Sequence, residues 1–222
     1  TYLLLKDPKS AVPFAQAAIA QDTKNAYYYL LLAQLHTEQK QFDAAAQAYN
    51  DLLRNVPGSE EYLFNLADLY LAQTRYDDAL KTYERIEKQF GELEQLTVNR
   101  QQIYLRQKNI DRAIQEGEKL LVSNPNEVRY FLAQAELYNV SKKPDQAIAV
   151  LDKALRIEPN NPFVHLMLSD LYRQKGNQPE SEKRVVKAFS SSDLDIDTKV
   201  RILVDFIRQL PNPTIEQVSL EL

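Results

Sequence analysis

The sequence predicts an all-α fold of antiparallel helix pairs stacked in a row, because three series of residues run through it in one register. Rings recur every 34 residues, at Tyr2, His36, Tyr70, Tyr104, Tyr138, Tyr172 and Phe206. Small residues follow the same step at Ala11, Ala45, Ala79, Ala113, Ala147 and Ser181. Helix breakers and turn formers follow it at Pro57, Gly91, Pro125, Pro159 and Asp193. A fixed period of this length, with no insertion, means one supersecondary unit repeated, each copy burying its apolar face against its neighbours.

With Pro57 at position 32, the chain divides into a partial repeat 1–25, full repeats 26–59, 60–93, 94–127, 128–161 and 162–195, and a partial repeat 196–222. The opening piece holds a helix beginning near Lys9, with Pro13 uncomfortably inside its first turn. In the repeat from Ala26, Tyr29, Leu32, Ala33 and His36 recur at three- and four-residue steps. After the turn Gln39, Lys40, Gln41, so do Phe42, Ala45, Tyr49 and Leu52. Both are amphipathic helix patterns, and so short a connection makes the pair antiparallel. Pro57, Gly58 and Ser59 are expected to break one helix and cap the next. Pro144 and Pro179 mark helix starts, and Asn161 before Pro162 gives an N-cap followed by proline at the first helical position. The last helix, near 196–210, is apolar on more than one face and is expected to be buried on two sides, with residues 214–222 starting its companion.

Composition excludes several classes of function. The 222 residues are 44% hydrophobic and 26% charged, with 27 basic against 31 acidic side chains and a net charge of −4. That balance argues against a nucleic-acid reader. There is no cysteine, hence no disulfide and no thiolate site. No window is apolar enough to span a bilayer. The chain starts without Met or a signal-peptide layout, so it is expected to be an excised piece of a longer protein.

The residues in register resemble the tetratricopeptide repeat over practically the whole chain. Tyr29 and Phe131 at position 4, Leu32, Leu66 and Leu168 at position 7, and Ala33, Ala67 and Ala135 at position 8 all match. So do the rings at position 11, Ala at 20, Tyr49 and Tyr83 at 24, and Pro at 32. The resemblance implies a right-handed α-α superhelix. Alanine at position 20 lets two helices approach closely, and the ring at 11 is expected to fill the space between units, so that its truncation costs about 3–5 kcal/mol. The third repeat departs from the pattern, with Arg100 and Gln101 where Leu and a small residue stand and Gly117 in place of Tyr; the fourth has Gln134 at position 7. Either Gln101 fills the volume left by Gly117, or residues 94–140 form a softer joint.

The resemblance further implies binding rather than catalysis, with the first helices lining a concave groove for a peptide or protein partner. Carrying over its groove positions gives Tyr27, Leu30, Gln34, Phe64, Asn65, Asp68, Asn99, Gln102, Arg106 and Arg129, with Glu61, Gln95, Val98, Leu132 and Glu136 beside them. Asn65 and Asn99, one repeat apart, are the best placed to clamp successive peptide units. The basic clamp of the chaperone-binding members is absent, since Leu30, Gln34, Gln95 and Asn99 stand where its Lys, Asn, Lys and Arg belong. The alternative is a substrate-docking arm of a multidomain enzyme, as in some glycosyltransferases of this family. An RNA-binding array is weaker, lacking a basic face. The Ala- and Gln-rich helices and the run Ser190 to Asp197 resemble bacterial, envelope-associated members.

No cofactor, metal or catalytic residue is expected. Asp193, Asp195 and Asp197 begin like a calcium loop, but Thr198 and Val204 stand where that loop needs Gly and Glu, so they are read as a helix cap. His36 and His165 are read as packing residues. Asn139-Val140-Ser141 is a glycosylation sequon set on a helix. Loss of a following repeat is expected to give end-to-end self-association or disorder of residues 211–222.

Overall fold

The computed structural model describes residues 8–209. The ring at Tyr2, the side chain of Phe206 and the expectations for residues 211–222 therefore lie outside the described residues. The chain forms two compact units, Thr1–Gln107 and Lys108–Leu222. The division falls in the turn inside the third repeat rather than between repeats, and it places Gln101 and Gly117 in different units.

In the first unit, α1 (Pro8–Gln21) is followed by the pair α2 (Ala26–Glu38) and α3 (Phe42–Asn55), the pair α4 (Leu63–Ala72) and α5 (Tyr76–Phe90), and then α6 (Glu94–Arg106). Each packs on its chain neighbours. Pro13 lies deeper than expected, beyond the first turn, because α1 already starts at Pro8. Ser59 does not cap the next helix. Its hydroxyl turns back to donate to the Leu52 carbonyl at 3.3 Å, and Glu60–Tyr62 forms a 3-10 turn that shortens α4. Behind α4, Leu63, Ala67, Ala79, Tyr83, Ile86, Leu96 and Ile103 form one buried cluster.

The second unit continues with α7 (Ile110–Ser123), α8 (Val128–Val140), α9 (Pro144–Ile157), α10 (Pro162–Gln174), α11 (Gln178–Phe189) and α12 (Ile196–Gln209). Here α8 contacts α10 as well as α9, so that the first helices of successive pairs lie side by side. Asn161 caps α10 through the Phe163 and Val164 N–H groups at 3.0 and 3.1 Å, as its sequence context predicts. Asp195 caps α12 by accepting from the Thr198 N–H at 2.8 Å and its hydroxyl at 2.6 Å. These hydrogen bonds hold the Asp195 carboxyl below its ordinary range. The acidic run is thus a helix cap at Asp195.

The period explains how each pair turns. Position 15 carries Lys40, Thr74, Lys108 and Lys142, all with φ of 56–58°, and Gly176 with φ of 73°. Two hydrogen bonds close the helix end there: Lys40 N–H to Thr37 O at 2.9 Å and Gln41 N–H to His36 O at 2.8 Å. The same pair of bonds recurs at Thr74, Lys142 and Gly176, and the one that spans five residues always ends on the carbonyl of the position-11 ring residue. Only glycine adopts this backbone freely, and a β-branched residue there is the worst fit. Thr74→Gly is therefore expected to stabilise the protein by about 0.5–1 kcal/mol, read as a higher urea midpoint. A lower midpoint would contradict the left-handed turn.

Along this turn edge, Asp at position 18 meets the following repeat. Asp43 pairs with Arg75, Asp111 with Lys143 at 3.5 Å, and Asp145 with Lys175, while Asp77 accepts from Gln107 at 3.3 Å. Such exposed pairs add little stability each but favour one stacking register.

The small-residue series is the contact line of the core: Ala45, Ala79, Ala113, Ala147 and Ser181 are all 0% exposed. In the fifth repeat Ser169 and Ser181 replace the facing alanines and satisfy each other at 2.9 Å. The ring series is shallower than expected. Tyr70, Tyr104 and Tyr172 are half-buried, as is His36, whose Nδ1 lies 2.8 Å from Gln41 Oε1. Arginine lids cover two of them, Arg75 over Tyr70 at 4.7 Å and Arg184 over Tyr172 at 5.8 Å. Among the described members of the series only Tyr138 is buried, its hydroxyl donating to Glu118 at 2.7 Å. Position 11 sits beside the open turn, whereas the rings buried to 2% exposure, Tyr29 and Tyr83, lie mid-unit at positions 4 and 24.

Polar departures from the repeat each find at least one hydrogen-bond partner in the core. Arg100, 6% exposed, donates to both carboxylate oxygens of Glu87, at 3.1 and 2.6 Å. Gln134 donates to the Ile114 carbonyl at 3.2 Å. His165, 1% exposed, has Nε2 at 3.0 Å from the Pro159 carbonyl, which makes Nε2 the protonated nitrogen. Tyr29, at the same repeat position four repeats earlier, does the same, donating to the carbonyl of Thr23 at 3.0 Å.

Nδ1 of His165 is buried without a partner among the described residues. Burial, aided by the charges of Arg184 and Lys187, pushes its pKa below the ordinary 6.5, against the opposing hydrogen bond to Pro159. The unfolded chain binds this proton more readily than the folded one, so stability is full above about pH 6.5 and falls as the pH drops through that value, ceasing to fall below the folded pKa. The slope contributed is at most about 1.4 kcal/mol per pH unit. His165→Phe is expected to flatten the wild-type loss between pH 7.5 and 5 in urea titrations; an unchanged pH profile would refute the assignment.

Candidate functional site

The first helix of each pair presents the residues singled out from the sequence. In the first unit these are Tyr27, Leu30 and Gln34 on α2, Phe64, Asn65 and Asp68 on α4, and Asn99, Gln102 and Arg106 on α6. Their spacing follows from packing: the opposite stripe of each helix carries Ala33, Leu35, Leu66, Ala67, Leu96 and Ile103 into the core, which leaves the other positions facing out.

The structure separates occupied side chains from available ones. Tyr27 is 63% exposed and meets Tyr28 edge to face at 6.2 Å. Leu30 is half-buried, and Gln34 is spent on its own helix, donating to Glu38 at 3.0 Å. Phe64, 38% exposed, leans on Phe90, itself 45% exposed, with centroids 5.7 Å apart. The two amides expected to act alike differ. Asn65 is exposed, with no side-chain hydrogen bond among the described residues. Asn99 is half-buried, donating to Tyr83 Oη at 3.2 Å and accepting from Gln95 at 2.9 Å.

Asp68 stands among phenols rather than cations. Partial burial pushes its carboxyl up. Burial, together with the Asp68 charge, pushes the Tyr49 and Tyr83 hydroxyls up as well, and at Tyr83 the Asn99 hydrogen bond opposes this. Sequence reasoning missed Tyr49 and Tyr83 here because position 24 reads as core; only the stacking brings those rings up to the α4 and α6 side chains.

Asn99, Gln102 and Arg106 converge. With Leu71 from α4 and Ile103 they line a recess of about 110 Å3. The floor is apolar and the rim carries amide and guanidinium donors. A larger recess of about 350 Å3, also missed, lies among α1, α2 and α3, where Tyr29 Oη accepts from Asn55 at 3.0 Å. Nothing in the repeat pattern marks it, because it is formed by helix ends. In the second unit, Arg129 is exposed, 3.4 Å from Glu127 and stacked over Tyr130 at 4.7 Å. Among the described residues there is no group of His, Asp and Glu placed to hold a metal ion, and no helix long and apolar enough to cross a membrane. Among the described residues of the first unit, the first helices offer hydrogen bonds, rings and the open cation of Arg106, which is the chemistry of recognition.

Comparison with known proteins identifies the repeat and the fold. Models of the tetratricopeptide repeat match residues 5–60, 32–93, 64–128 and 128–171. No curated protein matches the chain in sequence. Among solved structures, YrrB, described as a TPR protein with an unusual peptide-binding site, superposes with a TM-score of 0.55 at 14% identity, covering 86% of this chain and 97% of its own. A MamA structure gives 0.52 at 19% identity, covering 71% and 92%. MamA from Desulfovibrio magneticus RS-1 gives 0.51 at 15% identity, covering 74% and 93%. At these identities the likeness shows the fold, an all-α solenoid of stacked helix pairs.

Proposed function

The chain belongs to the tetratricopeptide repeat family, and on that premise we propose that it is a non-catalytic interaction scaffold that binds an extended segment of a protein partner in the groove lined by the solvent-facing stripes of its first helices. The observation that carries this reading is the convergence of Asn99, Gln102 and Arg106 on one recess, with the unengaged amide of Asn65 and the ring of Phe64 one repeat away. Hydrogen-bonding amides bind a peptide backbone irrespective of its sequence, while the recess and the ring read side chains. The peptide-binding site ascribed to YrrB is consistent with it.

Asn65 and Gln102 are the cleanest probes, since Asn99→Ala would also unseat Tyr83. The double variant Asn65→Ala/Gln102→Ala is expected to keep the wild-type circular dichroism and melting curve while weakening capture of the partner in a pull-down by about tenfold, the loss of two hydrogen bonds. Undiminished capture would exclude this stripe as the binding surface.

A further inference from the structure

We propose that the recess between α4 and α6 is an anchoring subsite for one acidic side chain, Asp or Glu, of the bound peptide, a specificity that rests on the binding surface proposed above. Charge pairing in the first unit points there. Arg54 pairs with Asp51, Arg75 with Asp43 and Asp78, Arg100 with Glu87, and Arg85 donates to Asn50 at 3.3 Å. Arg106 alone of these arginines has neither a carboxylate nor a hydrogen-bond partner among the described residues, and it lines the cavity.

The other walls fit the same occupant. Gln102 is exposed, with no side-chain hydrogen bond among the described residues, so its amide N–H groups can turn to an acceptor. Asn99 is held in place by Tyr83 and Gln95, which leaves its second amide hydrogen unused in the bonds described. Leu71 and Ile103 supply an apolar floor for the methylene groups of the entering chain. A volume of about 110 Å3 admits one short side chain and no more. A planar guanidinium beside two amides matches a carboxylate in geometry and charge. Asp68, on the preceding first helix, has no cation paired with it among the described residues, so an acidic peptide residue is disfavoured beside it and favoured at Arg106. The subsite differs from the chaperone clamp in its cation: the clamp positions here hold Leu30, Gln34, Gln95 and Asn99, and of these only Asn99 lines the recess.

The test is selection from a randomised twelve-residue peptide library on the full chain, run in parallel with Arg106→Gln and with Asn65→Ala. Wild type is expected to enrich peptides with Asp or Glu at one fixed position. A synthetic peptide from that set should bind Arg106→Gln about tenfold more weakly, and its Asp→Asn or Glu→Gln analogue should bind wild type and variant alike. Binding that depends on Asn65 but shows no acidic preference, or that Arg106→Gln leaves intact, overturns the subsite while the binding surface stands. Selection of peptides indifferent to Asn65, Gln102 and Arg106 together, or of none at all, overturns both. A preference for Lys or Arg at that position overturns the charge assignment.

Discussion

Tyr83→Ala is expected to cost about 3–5 kcal/mol of folding stability, while Tyr70→Ala costs only about 1–2 kcal/mol, although Tyr70 belongs to the ring series that dominates the sequence. Tyr83 is 2% exposed, packs within the cluster of Leu63, Ala67, Ala79, Ile86, Leu96 and Ile103, and accepts a hydrogen bond from Asn99. Its removal leaves a cavity lined by two repeats and takes from the Asn99 amide its hydrogen-bond acceptor. Tyr70 is half-buried beneath a mobile-stemmed arginine, which can settle into the space vacated. Tyr83→Phe isolates the polar part and should lose about 1 kcal/mol. Urea denaturation of the three variants measures the order, and a larger loss at Tyr70 than at Tyr83 would refute this account of the core.

Glu87→Ala is expected to destabilise the first unit by about 3 kcal/mol, and Arg100→Leu by less than about 1 kcal/mol. Arg100 is the buried member and Glu87 the accessible one, with 35% of its side chain exposed. Deleting the acid removes the bidentate carboxylate from a guanidinium that stays desolvated in the core. Deleting the base instead puts leucine where Leu32, Leu66 and Leu168 stand in sister repeats, and water can solvate the released carboxylate. The double variant should resemble Arg100→Leu. Equal losses for both single variants would show that the pair contributes as an ordinary surface bridge.

Legibility of the candidate site differs residue by residue. The period placed Asn65, Asn99, Gln102 and Arg106 on the outward stripe because a 34-residue step returns equivalent residues to equivalent faces. It could not say that Asn99 is held by Tyr83 while Asn65 is open, since that depends on how far one repeat advances over the last. The recess was illegible for the same reason: Leu71 and Ile103 are apolar residues indistinguishable from core until two first helices are set side by side.

The sequence by itself determined the helix pairs, their repeat length and the alanine line on which each pair closes. These depend on periodicity and residue size, which are local quantities that neighbouring positions repeat five times over. Only the tertiary structure decided which rings are deep, that Arg100 finds Glu87, that His165 is buried with one nitrogen unpaired, and that Arg106 overlooks a cavity. Each of those is a relation between side chains brought together by stacking, where a shift of one ångström changes the partner but leaves the repeat pattern untouched.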